Sequence, residues 1–103
     1  MEEDQDHFNI LRTIEKKPHS TQRELASKLG FSLGKLNYCL SALKIKGLIK
    51  MKNFQNNKKK IRYIYILTPK GLAKKTSMAI NFLKRKMKEY DEIKREIENH
   101  RTK

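Results

Sequence analysis

"TQRELASKLGFSLGKLNYCLSALKIKGLIK", Thr21 to Lys50, decides the fold. Thr21 can cap a helix while Glu24, three residues on, reaches back, which is the pattern of a capping box. Leu25, Ala26 and Leu29 give that helix an apolar face, and Gly30 stops it as a C′ glycine does. Ser32 then caps a second helix. At about 100° per residue, Leu36, Leu40, Leu43 and Gly47 fall on one line, flanked by Cys39. Gly34, Asn37, Tyr38 and Ser41 fall on the far side, and Gly47 ends the helix. Two helices joined by a short turn make a helix-turn-helix. One face of its second helix is committed to packing. The other is kept small and rich in hydrogen-bonding groups.

Working outward, Phe8, Leu11 and Ile14 recur at three-residue spacing with Ile10 beside them. They predict a helix from Asp6 to just before Pro18, with residues 1–5 frayed. Downstream the period changes. "LIKMKNF" (48–54) and "IRYIYIL" (61–67) read as strands, and "QNNKKK" (55–60) as a polar loop of about six residues between them. Thr68 and Pro69 are a favoured helix start, and the helix they open runs to about His100, roughly 45 Å. The expected fold class is mainly α with a small β-hairpin (α+β): a winged helix-turn-helix over residues 1–68, then a long C-terminal dimerisation helix over 69–103.

Charge narrows the function. The formal net charge is +14 and the pI is near 10.0. The 64 residues from Leu25 to Lys88 hold no acid, yet carry 17 of the 25 Lys and Arg. A folded block of one sign implies an anionic partner. His7, His19 and His100 are scattered and Cys39 is the only cysteine, so no zinc pattern and no intramolecular disulfide is available. No phosphate loop or nucleophile elbow is present. The expectation is a protein that is not an enzyme, has no cofactor and no metal, and resides in the reducing cytoplasm. No apolar run approaches the length of a membrane span, so no membrane partner is expected.

The segments "TQRELASKLGFS", "LNYCLSALKIKGLIK" and "YILTPKGLA" resemble the winged helix-turn-helix of MarR-type transcriptional regulators. With "SLGKLNYCLSAL", "GLIKMKNF" and "FLKRKMKEYDEIKREIE", the chain looks most like the EPS-associated MarR-type subgroup, over about three quarters of its length. The resemblance implies a sequence-specific regulator that binds double-stranded DNA, acts as a homodimer and is tied to exopolysaccharide genes. Ordinary members are longer and enclose a ligand pocket between their terminal helices. Without such an N-terminal extension, a small-molecule effector is not expected.

In a winged helix the second helix reads the major groove by its N-terminal half. Gly34 lets backbone approach closely, Asn37 suits an adenine edge, and Tyr38 and Ser41 offer hydroxyls. Ser32 and Lys35 are placed for phosphate, as are Lys58, Lys59, Lys60 and Arg62 on the wing, with Asn57 or a lysine near the minor groove and Arg23 and Lys28 behind them. On the last helix, Thr76, Ile80, Leu83, Met87, Tyr90 and Ile97 follow a coiled-coil rhythm broken by Lys94 and broadened by Ala79, Phe82 and Ile93. That stripe predicts a two-fold dimer with recognition helices about one DNA turn apart, on an inverted-repeat operator. The alternatives are an RNA-binding winged helix, or a protein-interaction module built on the long helix.

Overall fold

The computed structural model describes residues 2–57 and 60–101. The chain runs α1 (Glu2–Lys16), α2 (Gln22–Leu29), α3 (Leu33–Ile45), β1 (Ile49–Asn57), β2 (Lys60–Leu67) and α4 (Pro69–Arg101). This is the α+β winged helix-turn-helix with a long final helix.

α1 begins at Glu2 and not at Asp6. Glu3 and Asp4 lie in its first turn, where carboxylates favour the positive end of a helix. Gln5 donates to Asn9 Oδ1 at 3.1 Å. The same end lies against α4, where the Phe8 and Phe82 rings sit 5.8 Å apart.

The core is built where α1, α2 and α3 meet. Ile10, Leu11 and Ile14 of α1 pack with Leu25 and Ala26 of α2 and with Leu36, Cys39, Leu40 and Leu43 of α3. Leu48, Ile49 and Tyr65 close it from the hairpin. Gly30, at φ 70°, ends α2. Gly47, at φ 75°, ends α3 in a Schellman arrangement: Leu48 N donates to Leu43 O at 3.0 Å and Gly47 N to Lys44 O at 2.9 Å.

β1 and β2 pair antiparallel, from Ile49 opposite Leu67 out to Asn57 opposite Lys60, with an irregularity between Gln55 and Asn57. The connection is therefore shorter than the six residues expected. Main-chain pairing needs no apolar side chains, and a bulge absorbs the odd residue so that the ladder continues through "QNN".

The hairpin returns the chain to the end of α3. Thr68 N donates to Leu48 O at 3.0 Å, Thr68 Oγ1 donates to Gly47 O at 2.6 Å, and Gly71 N donates to Thr68 Oγ1 at 3.0 Å. Gly71 is buried against this junction. The 33 residues of α4 span about 50 Å. Met78 packs on the core, and Lys75 Nζ meets Glu15 Oε1 at 2.7 Å. Phe82 does not broaden the exposed stripe as expected: it lies on Phe8, on the α1 side of the helix. From Leu83 to Arg101 every residue is exposed.

One buried group makes stability depend on pH. His7 is 4% exposed, and its Nε2 lacks a hydrogen-bond partner, with Glu3 Oε1 3.8 Å away. Burial, and then Lys46, lower its pKa, against the pull of Glu3, Asp4 and Asp6. The unfolded chain thus takes up this proton before the folded one does. The stability that His7 contributes is full above about pH 6.5 and is lost as pH falls. Thermal melts at pH 7.5 and 5.5 should show a lower midpoint at the acidic value, and His7→Gln should shrink the difference.

Candidate nucleic-acid interface

α3 is fixed on its leucine side and open on the other. Leu36, Leu40 and Leu43 are fully buried, while Ser32, Gly34, Asn37, Tyr38 and Ser41 are all exposed. Tyr38 is 70% exposed, so it does not pack on the wing. The Ser32 side chain accepts from Lys35 N at 3.1 Å, and the start of α3 is thereby capped. Leu33 and Ile45 add two exposed apolar side chains to α3.

Gly34 is the informative residue. A Cβ there meets nothing within 4 Å. Its fold therefore has no use for a glycine at a helical position that favours alanine by about 1 kcal/mol. Packing within the chain does not require a glycine there.

Two of the expected phosphate contacts are held internally. Lys35 Nζ lies 3.2 Å from Asp6 Oδ2 of α1 and 4.3 Å from the centre of the Phe31 ring. The Arg62 guanidinium on β2 binds the Glu24 carboxylate on α2, linking wing to helix-turn-helix. Glu24 thus reaches outward to Arg62 as well as completing its cap, where its N–H donates to Thr21 Oγ1 at 3.3 Å. Sequence reading missed both ion pairs, because nothing local signals a contact across 29 or 38 residues.

Arg62 shares a cleft with Lys17, Arg23 and Lys28. The pKa of Lys28 is pulled down, by desolvation first and then by Lys17 and Lys16. Lys58 and Lys59 lie outside the described residues, and Asn57 and Lys60 are placed as the last pair of the ladder. Cys39 is buried, and burial, then Asp6, raises its pKa, which keeps it a thiol. Among the described residues no cluster of three His, Cys, Asp or Glu suits a metal, and no helix is long and apolar enough to cross a membrane.

Residues 4–50 match a family described as winged helix-turn-helix DNA-binding. Solved structures agree along most of the chain. Staphylococcus aureus MarR, in complex with salicylate and kanamycin, is 23% identical, with a TM-score of 0.68 over 84% of this chain and 57% of that one. Lactococcus lactis ZitR is 23% identical, with a TM-score of 0.67 over 84% of this chain and 57% of that one. Streptococcus pneumoniae FabT, in complex with DNA, is 21% identical, with a TM-score of 0.64 over 84% and 59%. The fold is a winged helix-turn-helix. The chain spans little more than half the length of these structures, and no curated protein sequence matches it. On this winged helix, α3 is the second helix of the helix-turn-helix and the β1–β2 hairpin is the wing.

Proposed function

We propose that the chain is a sequence-specific regulator that binds double-stranded DNA, with residues 1–68 as the reading head and 69–103 as the helix that joins two copies on an inverted-repeat operator. The carrying observation is the outer face of α3. Gly34, Asn37, Tyr38 and Ser41 stand exposed on a helix locked from behind, and a Cβ on Gly34 would enter open space. In this reading Asn37 addresses a base edge, Tyr38 and Ser41 support it, and Ser32 and the basic side chains hold phosphates. Lys35 is anchored by Asp6 and so positions the start of α3 as well as contributing charge. The family matched by residues 4–50 and the DNA complex of the FabT neighbour support the same partner. Resemblance to the EPS-associated subgroup supports exopolysaccharide genes as targets.

Gly34→Ala tests the reading with opposite signs. Because the added methyl enters open space, the variant should be more stable than wild type by about 0.5–1 kcal/mol. Because that methyl stands where backbone meets duplex, binding to a site selected from a random duplex library should weaken at least tenfold by fluorescence anisotropy. A variant that gains stability and binds as well as wild type sinks the assignment of this face. Competition with single-stranded RNA and heparin at equal charge separates duplex reading from general anion binding.

A further inference from the structure

α4 has two sides with different fates. Lys75, Met78 and Phe82 face α1 and the core. Ile80, Leu83, Met87, Tyr90 and Ile97 lie on the other side, each 50–66% exposed. We propose that this open face pairs with the same face of a second copy in antiparallel orientation, with Leu83 of one chain against Lys94 of the other. The inference rests on the homodimer reading above and adds its orientation.

Two observations carry it. The first is Lys94, which occupies a seam position between Tyr90 and Ile97. Parallel, in-register helices place each seam residue against its own copy. Two Lys94 ammonium groups would then face one another inside an apolar seam. In the antiparallel register, Ile80 meets Ile97, Met87 meets Tyr90, and each Lys94 lays its aliphatic stem along a Leu83 while its charge reaches water. The two lysines are then about 16 Å apart along the pair, from 11 residues of helical rise.

The second observation is the charge gradient along α4. Residues 69–88 carry seven basic side chains and no acid, whereas 89–101 carry five acids against three basic residues. Parallel pairing sets basic half on basic half and acidic half on acidic half. Antiparallel pairing sets each acidic half on the partner's basic half and brings each Lys84 beside the partner copy's Asp91 along one edge of the seam. Charges at those flanking positions choose orientation in paired helices.

The orientation has a consequence for the operator. It puts the two heads at opposite ends of the helix pair, with the two Pro69 positions about 60 Å apart along it. The half-site spacing is then nearer two turns of DNA than the one turn expected from the stripe alone.

Site-specific crosslinking in the full chain, with Cys39→Ala as background, tests the proposal alongside sedimentation. Lys94→Cys alone should not crosslink with a short thiol-reactive reagent, and Leu83→Cys with Lys94→Cys should give a covalent dimer. Spin labels at Glu98→Cys, which leave the seam intact, should lie about 28 Å apart or more by pulsed EPR. A dimer that crosslinks through Lys94→Cys alone, or whose Glu98 labels lie within about 15 Å, overturns the orientation and leaves the homodimer standing. A monomer at micromolar concentration overturns both.

Discussion

Gly71→Ala is expected to lower the melting temperature by about 10–20 °C. A Cβ built on Gly71 falls 1.9 Å from Leu48 O, 2.8 Å from its carbonyl carbon and 3.3 Å from its Cα. These are backbone atoms, so no side chain can swing aside. The carbonyl is also tied, because it accepts the Thr68 N–H at 3.0 Å, and Thr68 in turn caps α4 through Gly71 N. Moving the strand breaks the cap, and moving the helix uncovers the core beneath Met78. Overpacking costs of about 1–3 kcal/mol, at the upper end here, translate into the stated shift for a domain of this size. Thermal unfolding by circular dichroism measures it. A drop of under 3 °C would mean that helix and strand are not in the contact described. The contrast with Gly34→Ala is the sharper control: two glycines in helices, one expected to stabilise when replaced and the other to destabilise.

The same contact ties stability to function. Gly71 lets the first turn of α4 lie directly on the α3–β1 junction, so the long helix leaves the head at a fixed angle. Any dimer built on α4 therefore sets where both α3 helices stand. A variant that loosens this joint should lose operator affinity beyond what its residual folded fraction explains.

How much of this is legible in the sequence depends on the range of the interaction. The caps at Thr21 and Ser32, the stops at Gly30 and Gly47, and the leucine line of α3 are local, and residue type with spacing reveals them. The stripe through Ile80, Leu83, Met87, Tyr90 and Ile97 is periodic and just as readable as an exposed face. Phe82 shows the limit. Its spacing admits it to the stripe, and only the docking of α1 puts it on the other side. Leu72, half exposed at the head end of the same helix, adds apolar surface ahead of the stripe. Lys35 and Arg62 show the limit for the interface. Their charge is legible, but their partners Asp6 and Glu24 are supplied by other helices. Gly34 is the reverse case: sequence marks it as odd, and the structure shows that no neighbour in the chain crowds it.

Binding to a selected duplex is expected to weaken about a thousandfold between 50 and 200 mM salt, the largest effect anticipated for this protein. Neutralising about six phosphates per dimer gives a log–log slope near −5, and a fourfold rise in salt then spans three decades. The basic side chains are available for this: the 64 residues without an acid include α3, the wing and the head end of α4. The internal ion pairs refine the expectation. Arg62 must leave Glu24, or share it, to reach a phosphate, so Glu24→Gln should raise affinity most at low salt and steepen the slope. Asn37→Ala should behave differently. Losing a base contact costs about 1–3 kcal/mol at every salt concentration and leaves the slope unchanged. Parallel lines for Asn37→Ala and diverging lines for Glu24→Gln separate reading from positioning. A flat salt response in the wild type, or Asn37→Ala binding as tightly as wild type, would show that the positive field and the open face of α3 serve something other than duplex DNA.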